Sequence, residues 1–418
     1  MWISDSVIDL YWLEEKIPHL KGRIAQCSVK DISNAHRRGD VPKNGATILI
    51  EITLKKDANQ GNISTLKYLI LKQTPCSGLE MSARLGLARE AKFYNELAPR
   101  LRSKEACIPN IEYSFGDMKT GLKVILMEDL SRRFVDSGVL FGNGNPNNWS
   151  RDLDSIITEA YPSKAPSSFE AANETFLAIA NVHAAFWKDE ALLTERFSWL
   201  RGAQWIEGKG RESWEASQNI IQSMWQKYIG SIEKSNENDD MKWDPLVRAI
   251  VENAINGISW EAQLERLNRK SHFCLVHGDF WPGNIMLSTD RDDGISTNNS
   301  LTLRIIDWEM VGIGSGPQEL GQYILSNMEP EERRKNEKQL IRNYYNRIVE
   351  LNVDDFRWED CWNEYKIGGL ERWLWFLVYF CTQDNPVMQK WAQFFHNQIK
   401  EFVHDHGIRP EDVTQPRP

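Results

Sequence analysis

Apolar and polar positions alternate over much of the first 130 residues, most clearly in Ala46 to Leu54 (ATILIEITL) and Leu66 to Lys72 (LKYLILK). Arg23 to Ile32, Ile111 to Phe115 and Leu122 to Met127 are further β-type segments, and together these runs predict strands. One stretch interrupts them. From Leu79 to Leu101 the apolar residues Leu85, Ala88, Phe93, Leu97 and Leu101 recur near helical spacing and predict a single main helix. The pattern changes near residue 130. From Phe169 onward it is helical: Phe176, Ile179, Ala180, His183 and Phe186 share one face, as do Ile367, Leu370, Leu374, Leu377 and Cys381. The exception is Leu275 to Asp307, where two short apolar runs, Asn284 to Leu287 and Leu301 to Ile306, flank the polar stretch STDRDDGISTNNS and predict a hairpin. Residues 1–128 are thus expected to form an α+β lobe on an antiparallel sheet, and 129–418 a mostly helical one. No period of 20 to 50 residues marks a repeat protein. Gly142 to Ser150 and Lys234 to Asp240 read as mobile surface connections, and the final HDHGIRPEDVTQPRP as a fraying tail.

Composition narrows the function classes. Among 418 residues, 50 Lys and Arg oppose 59 Asp and Glu, a net charge of −9 with a pI near 5.6. Such a field repels phosphate backbones and anionic lipid, so no nucleic acid or membrane partner is expected. The most apolar run, Trp373 to Cys381, is too short to span a bilayer. MWISDSVIDLYWLEE has no basic start and does not read as a cleaved secretory signal. Six scattered cysteines, with no C-x-x-C pair, read as reduced thiols of a cytoplasmic protein.

The chemistry concentrates in LVHGDFWPGNIML, where His277, Asp279 and Asn284 stand at H-x-D-x-x-x-x-N spacing between apolar runs, and in Asp307, which closes LRIID. A strand ending in Asp, beside a loop that holds Asp and Asn, offers the oxygen ligands that magnesium takes together with water and phosphate. Asp279 is then a carboxylate available to accept a proton from a hydroxyl nucleophile. The plainer alternative is a turn in which Asp279 and Asn284 only satisfy backbone groups.

HGDFWPGN followed by IIDWE resembles the aminoglycoside phosphotransferase and choline kinase group, and the Trp after HGDF resembles its ecdysteroid kinase-like branch. The resemblance implies a bilobal protein-kinase-like fold and an ATP-dependent small-molecule kinase that phosphorylates a hydroxyl of its acceptor. It implies Asp279 as catalytic base, Asn284 and Asp307 as Mg²⁺ ligands, and His277 as a brace for the loop. Lys72, closing an apolar strand, matches the family lysine on the α- and β-phosphates, and Glu90 matches its partner glutamate, with Glu96 as the rival. VILMEDL matches the crossing between lobes, which puts the adenine against backbone near Glu128 to Leu130. In place of a clear glycine-rich turn stands SNAHRRGDVPKNGAT, where amides around Asn44 and Gly45, or basic side chains, are expected to cover phosphate. His183, on an apolar stripe, reads as a packed core histidine. Glu319, where the family has Asp, reads as a cap of the helix that follows.

Two other classes compete. A nucleotide-binding pseudokinase agrees with the weak glycine turn, and a metal-dependent hydrolase could use His277, Asp279 and Asp307 but leaves Lys72 idle. Seventeen tryptophans, including Trp281 inside the loop, suit a flat, apolar or cationic acceptor as well as they suit core packing.

Overall fold

The computed structural model describes residues 8–33, 46–55, 65–101, 107–234, 241–268, 272–289 and 301–417. The chain divides into two compact units. The first is Met1–Val135 with Met286–Thr297 and Thr302–Val311, and the second is Asp136–Ile285 with Asn298–Leu301 and Gly312–Pro418.

In the first unit, helix α1 (Leu10–Lys16) precedes strands β1 (Ile24–Asp31), β2 (Ala46–Leu54), β3 (Leu66–Gln73), β4 (Ile111–Gly116) and β5 (Lys123–Glu128). They pair antiparallel in the order β1-β2-β3-β5-β4. Every strand expected from the alternation is present. Period two explains the sheet's faces: Ile48, Ile50, Ile52, Leu69, Leu71, Val124 and Leu126 bury one of them against Leu13, Ile17 and Leu20. Each such side chain contributes roughly 1.5–3 kcal/mol when fully buried. The alternate positions serve the other face. Lys72 sits opposite Ile125 in the β3–β5 register, and Lys123 lies two residues from Ile125, so both lysines project to the same side.

The helix expected over Leu79–Leu101 is divided into α2 (Leu79–Leu85) and α3 (Arg89–Glu96), followed by a 3₁₀ turn at Ala98–Arg100. Gly86 is the cause. It adopts φ +70°, which glycine alone takes without strain, and ends α2 with its N–H on the Ala83 carbonyl and that of Leu87 on Ser82. The Arg89 guanidinium closes the break by donating to the carbonyls of Leu85 and Gly86.

Strands β6 (Phe134–Asp136), β8 (Ile285–Ser288) and β9 (Leu303–Ile305) form a small sheet in the order β6-β8-β9, while β7 (Cys274–Val276) and β10 (Gly312–Gly314) pair antiparallel in the second unit. The expected connection between β8 and β9 lies mostly outside the described residues. The second unit is otherwise helical: α4 (Leu153–Ala160), α5 (Ser168–Ala185), α6 (Ala203–Ile206), α7 (Arg211–Lys234), α8 (Pro245–Asn256), α9 (Trp260–Asn268), α10 (Gly316–Asn327), α11 (Pro330–Glu350), α12 (Trp358–Asn363), α13 (Gly369–Cys381) and α14 (Pro386–His406). Helix α5 starts at a reciprocal cap between Ser167 and Glu170 and buries Phe176, Ile179, Ala180 and His183, as its periodicity predicts.

A π-helical turn, Glu364–Gly368, joins α12 to α13. Next to it α10 and α13 meet at Gly321 and Gly369, where a Cβ on Gly321 would lie 2.4 Å from the Tyr365 carbonyl and one on Gly369 would lie 2.6 Å from the Gly321 Cα. Only glycine permits this approach.

Two expectations of mobility are overturned. In 142–150, Asn145 and Asn148 are buried. Asn145 is bonded to Asn327, and Asn148 donates to the carbonyls of Gly138 and Gly142. The supposed fraying tail is docked: Val413 and Gln415 are fully buried, because polar partners on α7, α8, α9 and α13 receive it almost residue by residue. Lys234 to Asp240 lies almost wholly outside the described residues.

Candidate active site

The first unit gathers a cluster of charges. Lys72, next to last in β3, has its ammonium 2.8 Å from Glu90 on α3 and 2.5 Å from Asp307, which follows β9. The sequence separation of Lys72 and Asp307 is 235 residues. Glu90 is fully buried, and the rival Glu96 instead pairs with Lys92 at 3.0 Å one turn along α3. Asp307 adopts φ +68°, a strained backbone for a residue with a Cβ. Its neighbour Trp308 explains why the turn holds: the indole is buried, donates to the Ile305 carbonyl, and stacks on Phe93 of α3 at 4.1 Å and 12°. The same helix thus carries Glu90 and the ring that seats the Asp307 turn.

A second lysine completes the cluster, and the sequence reading passed over it. Lys123 begins β5, is buried, and bridges Glu90 at 2.7 Å and Glu309 at 2.9 Å. A lone lysine at a strand start ordinarily reads as a solvated edge. The signal that could have found it is parity, since 123 and 125 share the face on which Lys72 projects. Burial opposes the charge on Lys72, yet Asp307, Glu90 and Glu309 outweigh it and hold the ammonium well above its usual range. Burial and the Asp307 charge push Glu309 up, against the pull of the two lysines. Oxygens of Glu90, Asp307 and Glu309 lie within 4.8 Å of one another, and the second oxygen of Glu90 is buried with no hydrogen-bond partner among the described residues. Oxygen donors gathered this closely fit a hard divalent cation such as Mg²⁺.

Glu128 ends β5. Its amide donates to the Asn110 carbonyl and its carboxylate accepts from the Asn110 amide at 2.8 Å, while the Asp129 amide donates to Tyr68. Leu130 is buried in the 3₁₀ turn that follows. Gly45 and the segment around it expected to cover phosphate lie outside the described residues.

The second unit holds the loop after β7. Asn284 donates from one amide nitrogen to both the backbone carbonyl of Asp279, at 2.9 Å, and its carboxylate, at 3.1 Å. His277 is buried, and its Nδ1 accepts from the Asp279 amide. Glu319 on α10 does not cap its own helix, contrary to expectation. Its carboxylate reaches 41–42 residues back to accept the amides of His277 at 2.9 Å and Gly278 at 2.6 Å. His183 lies 3.1 Å from Glu319 through Nε2 and 2.9 Å from the Tyr344 hydroxyl through Nδ1, in agreement with a hydrogen-bonded core histidine. Burial alone would raise the Glu319 carboxyl, but the His183 contact, the His277 charge and the Gly278 amide hold it below its ordinary value. Of the tryptophans considered for an acceptor, Trp199, Trp214, Trp225 and Trp373 are buried in packing, whereas Trp187, Trp205, Trp281 and Trp375 keep part of their surface.

The structure therefore brings together Lys72, Glu90 and Asp307 in one unit and His277, Asp279 and Asn284 in the other. A model of the ecdysteroid kinase-like family matches residues 162–356, a span that contains the loop, Asp307 and Glu319. No curated protein matches the chain significantly. Among solved structures, the choline kinase of Cryptosporidium parvum Iowa II is 13% identical, with a TM-score of 0.50, over 96% of this chain and 98% of that one. An ethanolamine kinase of Plasmodium vivax is 10% identical, with a TM-score of 0.45, over 95% and 87%. The first of these carries the fold, which is the protein-kinase-like α+β fold expected. The resemblance to the choline kinase group and its ecdysteroid kinase-like branch is borne out by that family match and by the fold.

Proposed function

We propose that the protein transfers the γ-phosphoryl group of ATP to a hydroxyl of a small-molecule acceptor in the cytoplasm. The observation that carries this reading is the meeting of Lys72 with Glu90 and with Asp307, the latter 235 residues further along the chain. Phosphoryl transfer requires positioning and charge neutralisation more than covalent chemistry, and the chain's own groups suit those tasks. Lys72, held by Glu90, neutralises the α- and β-phosphates. The backbone at Glu128 to Leu130 receives the adenine edge. Bound Mg²⁺ would supply positive charge against that of the phosphates. Asp307 would hold it together with Asn284, whose amide nitrogen is committed to Asp279 and whose carbonyl oxygen is the group a metal takes. Asp279 accepts the acceptor's hydroxyl proton at its carboxylate.

Thermal shifts with ATP alone, Mg·ATP and metal alone, followed by ADP release across a panel of hydroxylated metabolites, test the proposal. Stabilisation by Mg·ATP with acceptor-dependent ADP release is expected. Binding without turnover would leave a pseudokinase, and indifference to ATP a hydrolase. Asp307→Ala is expected to weaken Mg·ATP binding, and undiminished binding by calorimetric titration would count against the metal assignment.

A further inference from the structure

Specific polar partners hold the segment Val413–Arg417 at nearly every residue. Glu371, buried at the start of α13, accepts from the Thr414 amide and hydroxyl, from Arg417 Nε at 2.6 Å and from Arg266 at 3.2 Å, and its backbone carbonyl accepts the Arg417 amide. Arg417 also reaches Glu364 in the π-helical turn at 3.1 Å and Gln318 on α10 at 2.8 Å. One residue beyond Glu371, Arg372 is buried. It donates to the carbonyl of Gly278 at 3.0 Å and approaches the carbonyl of Arg417 at 3.5 Å. Gly278 immediately precedes Asp279. The loop is thus held on two sides: Glu319 takes the amides of 277 and 278, and Arg372 takes the carbonyl of 278.

We infer that Arg417 is a positioning residue for Asp279: by locking Glu371 and the π-helical turn it orients Arg372, which in turn sets the peptide that carries the base. Charge supports the geometry. Burial pushes the Arg372 guanidinium down to about 10, against the pull of Asp279 and Glu319, so it remains a cation at neutral pH. Glu364 and Glu371 outweigh burial at Arg417 and raise it. The inference rests on the kinase reading only for the role of Asp279, since the hydrogen-bonded chain stands without it.

The test compares Arg417→Ala and Arg417→Lys with the wild type by hydrogen exchange of peptides spanning 274–285, and by ADP release from Mg·ATP with water as acceptor. In Arg417→Ala, exchange at 277–279 is expected to rise about tenfold. Turnover should fall about tenfold with the KM for ATP within about twofold of wild type, the result of a displaced base rather than lost binding. Arg417→Lys keeps the cation, and with it the fold, but lacks the fork that spans Glu364 and Glu371, so it should fall between the two. Unchanged exchange at 277–279 in both variants would overturn the inference. So would exchange raised equally in α11, or a KM for ATP that rises as turnover falls. A wild type that neither binds Mg·ATP nor releases ADP would defeat the kinase reading alone and leave the exchange result standing.

Discussion

The two residue clusters, one in each unit, are built on opposite principles. Around Lys72 the first unit assembles full charges, two lysines among three carboxylates, and leaves one oxygen of Glu90 without a hydrogen bond among the described residues. Around Asp279 the second unit works mainly on the backbone: Glu319, Arg372 and Asn284 each take hold of a peptide group of the loop. A charge cluster can exchange partners when a phosphate or a cation arrives, whereas a peptide fastened from several directions keeps its geometry. The first arrangement suits ligand binding and the second suits a base that must be in place before its substrate.

That contrast can be broken by substitution. The largest effect is expected for Asp279→Asn, which should lower turnover by about 10²- to 10⁴-fold while nucleotide affinity stays near normal. Equal loss of both, measured by steady-state kinetics and titration, would erase the distinction between the clusters. Lys72→Met should lower kcat/KM for ATP by about 10²- to 10³-fold, the scale of a lost electrostatic donor, with a visible part of the loss in binding. Glu319→Ala strands buried donors and should cost on the order of 3–5 kcal/mol, seen as a melting point lower by about 10 °C.

Acidity sharpens the comparison. The Glu319 carboxyl is lowered in the folded protein, so its stabilisation is complete above its unfolded value near 4.5 and is lost as the pH falls through the folded one. Glu319→Gln should flatten that acid limb, and an unchanged limb in pH-dependent melting would remove the acid from the account. The smallest effect belongs to Gly86→Ala, which forces a Cβ into the left-handed turn between α2 and α3 and should cost about 1–2 kcal/mol in denaturant unfolding.

The sequence was readable where local periodicity or a short spacing decided the outcome. Period two located β1 to β5, and the spacing of His277, Asp279 and Asn284 located the loop. Misreadings arose where a partner lies far along the chain. Glu319 looks like a cap when seen beside Ser315, and only the fold brings it to residues 41–42 positions earlier. Lys123 was passed over because its partner Glu309 lies 186 residues on. Arg417 sits among prolines that suggest fraying, yet Glu371, 46 residues before it, supplies a buried counter-charge. Gly86 was visible, but its left-handed turn divides what the apolar spacing presents as continuous.

The meeting of Gly321 with Gly369 bears on any attempt to re-engineer this protein. Because α10 carries Glu319 and α13 carries Arg372, a single methyl group at either crossing would pry apart the two jaws of one clamp. Any set of variants in α10 or α13 should therefore keep glycine at 321 and 369.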